Sequence, residues 1–265
     1  MDETTTTTQP RWLFDEFQDF GWSDADEIEA YDEKANVNPV LERERLLELG
    51  VSKEHTLIDF GCGTGALALE AAKLCKRVIV VDVSAAMLTY MKRKAESFGL
   101  VNIDYVQQGF LTYQHQGEPV DFVFTQRTLH HLPDFWKVQA LQRMAEVLKP
   151  GGVLFVRDLM FSFEPRGAED AIEAWIGSRP AGSFPREFFE HDIREEYITY
   201  TWLFEAMLKE VGFEIGEVAY GDYQAYARYV CVKRSNERKS NEQRGFYHSL
   251  PIACFQSIGW CVVSA

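Results

Sequence analysis

No stretch of this sequence approaches the roughly 18 consecutive apolar residues that a membrane-spanning helix needs. Its first residues, MDETTTTTQPR, contain neither the basic nor the apolar region of a secretory signal. A cytoplasmic chain with no transmembrane segment is the resulting expectation. Basic side chains are few beside acidic ones: 27 Lys and Arg against 41 Asp and Glu, a formal net charge of −14. Binding a long phosphate backbone takes clustered cations, so a long nucleic acid is excluded as a partner, while room is left for a small local nucleotide site. There is no Cys-x-x-Cys pair. Cys62, Cys75, Cys231, Cys254 and Cys261 are scattered with no histidine at zinc spacing, so they read as buried or free thiols and no metal is expected. No internal repeat is present.

What is there, over 265 residues of which 46% are hydrophobic, suffices for one large core. Residues 1–9 read as a disordered Thr-rich tail and 10–234 as a single domain, followed by a C-terminal extension at 235–265. Within the domain, 10–50 form an N-terminal helical arm. Its aromatics Trp12, Phe14, Phe17, Phe20 and Trp22 are interleaved with acids, and residues 1–33 hold eleven Asp or Glu against one Arg. Short β-rich runs then alternate with helical patterns. HTLIDF (55–60), RVIVVDV (77–83), NIDYVQQ (102–108), VDFVFTQ (120–126) and GVLFVRDL (152–159) read as strands, with helices between most of them. After an aromatic, Pro-containing insertion at 160–205 and one more helix, EIGEVAYG and QAYARYVCVKR supply a terminal pair of strands. This alternation predicts an α/β Rossmann-like fold: a seven-stranded, mostly parallel sheet with helices on both faces, an antiparallel last strand, and a helical cap from the arm and the insertion.

The stretch DFGCGTG (59–65) follows the first strand with glycines at alternate positions. A bare turn there lets backbone N–H groups and the next helix N-terminus approach a ligand, and an acid ending the following strand, here Asp82, can hold two ribose hydroxyls. Taken alone, Gly61, Gly63 and Ala66 also satisfy a nicotinamide-dinucleotide fingerprint. The surrounding motifs narrow the choice. DFGCGTG, VDVSAAML, FVFTQRTLHHL and LKPGGVLFVRD, in that order over about 55–160, resemble the class I S-adenosylmethionine-dependent methyltransferases, most of all their small-molecule, quinone-biosynthesis-like branch.

The resemblance implies S-adenosylmethionine as cofactor and a site made of Asp59, Gly61, Cys62, Gly63, Gly65, Asp82, Val83, Met87, Gly109, Phe110, Gln126 and Arg127. Asp59 would orient the amino group, the glycines would leave room for the methionine moiety and ribose, Asp82 would bind the ribose, and Val83 and Met87 would lie against the adenine. Many relatives carry an Asp after the third strand for the adenine amine. This chain reads QQGFLTY there, which would pass that contact to backbone and Phe110. Gln126 and Arg127 would sit near the methionine end.

The expected reaction is in-line methyl transfer to a small organic acceptor, which asks mainly for alignment and exclusion of water. A base is needed only where the acceptor must lose a proton, and His131 and His130 are the candidates, with Asp158 and His191 behind them and Tyr197, Tyr200 and Tyr223 as hydrogen-bond partners. The aromatic arm and the 160–205 insertion would close over the acceptor, Arg127, Arg157, Arg166, Arg179 and Arg186 could form a local anion site, and the apolar C-terminal end suits packing or a homodimer contact. The alternatives are an RNA (tRNA) methyltransferase or tRNA-modifying relative, a nicotinamide-dependent oxidoreductase, and a non-catalytic cofactor-binding protein.

Overall fold

The computed structural model describes residues 10–17, 25–35, 37–178 and 184–235. The expected tail at 1–9, residues 236–265 of the extension, Phe20, Trp22 and Arg179 lie outside the described residues.

Strands β1 (Thr56–Phe60), β2 (Arg77–Asp82), β3 (Ile103–Gln107), β4 (Val120–Gln126) and β5 (Leu148–Phe161) run parallel in the order β3-β2-β1-β4-β5. Between and before them lie α1 (Ala25–Ala35), α2 (Pro39–Glu48), α3 (Ala66–Leu74), α4 (Ala85–Ser97) and α5 (Asp134–Val147). Side chains along a strand point alternately to the two faces, and the core divides accordingly. Ile58, Ile79, Val123 and Val156 join α5 in one cluster, whereas Leu57, Val78, Phe122 and Phe155 join α3 and α4 in the other. Both faces are covered, which is why these strands read as nearly continuous apolar runs.

Local signals end the helices where chemistry requires. Asn38 caps α2 by accepting the Val40 N–H at 3.0 Å, and Ser84 caps α4 by accepting that of Met87 at 3.2 Å. Past β5 come α6 (Ala168–Gly177), α7 (Arg186–Glu195), the two-residue β6 (Thr199–Tyr200), α8 (Thr201–Glu210), β7 (Phe213–Tyr220) and β8 (Tyr226–Lys233). The antiparallel pair closes the sheet with β8 between β5 and β7.

Two details differ from the sequence reading. The strand expected at 152–159 begins earlier, with LKPGG, because Leu148 already pairs with Val120 ahead of a register shift at Val120/Phe122. An eighth strand, β6, pairs with the end of β5 and leads directly into α8. The segment around it has its own core of Phe161, Phe163, Trp175, Ile176 and Phe189, so α6 and α7 stand above the sheet as a separately packed layer.

The strand order reverses direction between β1 and β4. In an open α/β sheet, a crevice forms outside the carboxyl ends of the strands at such a switch point.

Candidate active site

That crevice holds a cavity of about 920 Å3, within the range of pockets that take a small ligand, roughly 300–1,000 Å3. Its floor is built by the chain leaving β1. Gly61, Gly63 and Gly65 all adopt left-handed backbone, with φ of 67°, 49° and 82°, a conformation that costs other L-residues about 1–2 kcal/mol. Gly61 and Cys62 donate to the Val81 carbonyl at 2.8 and 3.3 Å, which ties the turn to β2. Asp82, ending β2, fixes it further: Oδ2 accepts the Gly63 N–H at 2.8 Å and Oδ1 the Ser84 N–H at 2.9 Å.

The acids here are poised by burial. Asp59 is 4% exposed, and desolvation, reinforced by the charges of Glu42 and Asp82, pushes its carboxyl well above the ordinary range. Burial also raises Asp82, partly opposed by the Ser84 and Gly63 amides and by His131. Burial likewise drives the Cys62 thiol well up, so it is a neutral wall. No group of three or more His, Cys, Asp or Glu able to hold a metal occurs among the described residues.

Beyond β4 the chain turns through Arg127, whose φ of 53° is left-handed without a glycine, into a short helical turn at Leu129–His131. His130 donates through Nδ1 to Asp158 Oδ1 at 2.5 Å, and Asp158 also accepts the N–H groups of Thr128, Leu129 and Leu159 at 3.2, 2.7 and 2.7 Å. Burial opposes charge on both partners, but their mutual attraction prevails, raising His130 and lowering Asp158. His131 Nδ1 meets Glu196 Oε2 at 2.8 Å. The Tyr197 N–H donates to the His130 carbonyl at 2.8 Å, so the end of the α7 segment is clasped to the histidine turn.

Residues 57–152 match the family model described as a methyltransferase domain. Over these residues the chain resembles a methyltransferase domain. An uncharacterized methyltransferase of Oceanobacillus iheyensis is 31% identical over 116 residues, 44% of this chain and 52% of that protein. The ubiquinone/menaquinone biosynthesis C-methyltransferase of Pseudoalteromonas translucida is 33% identical over 124 residues, 45% of this chain and 49% of that protein. The chain thus spans about half the length of these curated relatives. A SAM-dependent methyltransferase from Aquifex aeolicus shares the fold, with a TM-score of 0.55 over 79% of this chain and 98% of its own at 21% identity.

Asp59, Gly61, Cys62, Gly63, Asp82, Val83, Met87, Gly109, Phe110, Gln126, Arg127, His130, His131 and His191 all line the cavity. Gly65 does not line the cavity, and a Cβ there would stand 2.4 Å from Met91 Cγ, so its bareness lets α4 pack against the turn. Asp158 lies outside the lining as the hydrogen-bond partner of His130, and Tyr197, Tyr200 and Tyr223 do not line the cavity. Of the described arginines, Arg127 and Arg157 lie near each other, with Arg157 facing Glu42 at 3.7 Å, whereas Arg186 pairs with Glu173 and Glu190 on the exposed cap.

Several wall residues have no sequence signature. Glu42 accepts from Gln126 Nε2 at 3.1 Å, Glu16 reaches the backbone beyond β3, and Asp192 and Glu196 face the histidines. Each is one acid among many in a charged stretch, so composition could not single it out.

The glycines make a clean contrast. Gly65→Ala should lower stability by about 1–2 kcal/mol for the left-handed conformation, with the Met91 clash added. Gly63→Ala meets nothing within 4 Å; it should incur only the conformational cost, but place a methyl group where the floor of the cavity is open. Thermal unfolding of the two variants, beside ligand titration, checks the division: a ligand affinity unchanged in Gly63→Ala would remove this turn from the binding site.

Proposed function

We propose that the protein is an S-adenosylmethionine-dependent methyltransferase acting on a small organic acceptor held between the glycine turn and the aromatic cap. The observation that carries this reading is the set of acids, the buried Asp59 and Glu42 and the half-buried Asp82, around a turn left open at Gly63. A sulfonium and an α-ammonium bring positive charge to a place where burial raises the carboxyls of Asp59 and Asp82. A dinucleotide pyrophosphate would bring negative charge to the same place, which disfavours the nicotinamide alternative.

The residues present fit the cofactor. Asp82 would hold the ribose diol and Asp59 the amino group, Val83 and Met87 would lie against the base, and Gln126 and Arg127 would face the methionine end. When bound, S-adenosylmethionine supplies a methyl group activated by its sulfonium. The chain's part is to align the acceptor and keep water out. The arm, with Phe14, Phe17 and Tyr31, and the cap, with Phe184, Phe188 and Phe189, wall the remaining volume, which suits an apolar, ring-bearing acceptor. Asp158 occupies Nδ1 of His130 and raises its basicity, leaving Nε2 as the nitrogen that can take a proton from an acceptor hydroxyl or amine.

Calorimetric titration with S-adenosylmethionine and, separately, NADH tests the cofactor, with binding of the first alone expected. Labelled-methyl assays over ring-bearing hydroxyl and amine acceptors then test the transfer. For a substrate found this way, His130→Gln should lower turnover by about 10²–10⁴-fold, the usual contribution of a positioned base, with cofactor affinity nearly unchanged. Undiminished turnover would remove His130 from the chemistry; binding of NADH alone would overturn the whole reading.

A further inference from the structure

Glu16 belongs to the arm ahead of α1, yet its carboxylate is buried at the carboxyl end of β3. The residue is 5% exposed and lines the cavity. Oε2 accepts the Leu111 N–H at 2.8 Å, whereas Oε1 is buried with no hydrogen-bond partner among the described residues. A buried polar atom without a partner is costly and calls for an explanation. Desolvation pushes this carboxyl up to about 7, and the nearby backbone amides and the charge of Arg143 offset only part of that.

The carboxylate sits where a side chain is absent. A Cβ built on Gly109 would stand 2.4 Å from Glu16 Cδ and 2.5 and 2.6 Å from Oε2 and Oε1. The arm therefore fills the volume that a side chain at 109 would occupy. Asp82 pairs in register with Gln107, two residues before Gly109, and Gly109 and Phe110 line the same cavity, so they would be within reach of the base of a nucleoside whose ribose Asp82 held. A purine bearing an exocyclic amine offers an N–H donor on that edge, and an unpartnered carboxylate oxygen is its complement.

Resting on the methyl-donor reading above, we propose that Glu16 accepts a hydrogen bond from the exocyclic amine of the bound adenine, so that the N-terminal arm reads the base. Recognition of the cofactor and docking of the arm over the cavity are then one event.

The test compares S-adenosylhomocysteine with S-inosylhomocysteine, in which an oxo group replaces the amine, by calorimetric titration of the full chain. Wild type should prefer the adenosyl ligand by about 10- to 100-fold, the range for one charge-assisted hydrogen bond. Glu16→Leu, which buries a side chain of similar length without an acceptor, should reduce the preference to about twofold or less, a value near the loss of that bond. The double variant Glu16→Ala/Gly109→Asp returns a carboxylate to the same volume from the other side, and φ at 109 is not left-handed; it should recover most of the preference. Circular dichroism melts verify that each variant is folded.

Discrimination retained in Glu16→Leu, or absent in wild type that binds both ligands, would overturn the assignment of Glu16 while leaving the methyl-donor reading standing. A wild type that binds neither ligand would overturn the reading and this assignment together. A merely structural clasp of the arm on Leu111 would weaken both ligands equally, which also defeats the assignment.

Discussion

Asp158→Ala is expected to lower the unfolding free energy by about 3–5 kcal/mol, the usual loss when one partner of a buried ion pair is removed. Asp158 is fully buried and accepts four hydrogen bonds, from His130 and from the N–H groups of Thr128, Leu129 and Leu159. Alanine leaves those donors without an acceptor and His130 without its counter-charge. The pH dependence follows from the two directions. The lowered carboxyl of Asp158 contributes stability that is present above its ordinary value of 3.8 and lost as pH falls through the folded value. The raised imidazole of His130 contributes stability that is full below its ordinary value of 6.5 and lost as pH rises through the folded value. Denaturant unfolding of wild type and variant should therefore differ most in weakly acidic solution, between those limits. A difference below about 1 kcal/mol, typical of an exposed pair, would mean that the dyad is solvated.

Asp82→Ala is expected to weaken S-adenosylmethionine binding by about 100-fold or more, since each hydrogen bond to a charged group contributes about 1.5–3 kcal/mol and a ribose diol makes two. The same carboxylate braces the turn through Gly63 and Ser84, so the variant removes a ligand contact and loosens the floor. Asp82→Asn separates these effects, because its amide oxygen can still accept one backbone N–H. Burial raises the Asp82 carboxyl, and the diol binds the charged form best. Affinity in wild type should fall as pH drops into the range where this carboxyl takes up a proton, and that fall should vanish in Asp82→Ala. An unchanged affinity in Asp82→Ala would refute the ribose assignment.

Both effects concentrate at one end of the sheet, where the arm and the cap also converge. Asp32 of α1 binds Lys94 and Tyr90 of α4 at 2.6 and 3.2 Å, and Tyr31 lies against Phe184 with ring centroids 5.9 Å apart. The helix α1 is thus fastened to the domain on one side and to the cap on the other. The cavity walls are shared among segments distant in sequence, so closing over an acceptor need not involve the sheet at all.

Strand positions, helix placement and the glycine turn were legible because each is a local pattern. Nearly continuous apolar runs in β1 to β5 specify a sheet covered on both faces, and three glycines in seven residues mark a turn that needs left-handed backbone. Asp82 was legible too, because it closes a strand at a fixed distance from that turn. The sequence by itself thus determined the α/β layering and the floor of the site. Only the tertiary structure decided the walls: Glu16 meets Leu111 across 95 positions, Glu42 meets Gln126 across 84, and His131 meets Glu196 across 65. Such contacts leave no periodicity in the chain, because they arise where packed layers bring remote segments to the same crevice; which acid in an acidic arm becomes buried is settled by that packing alone.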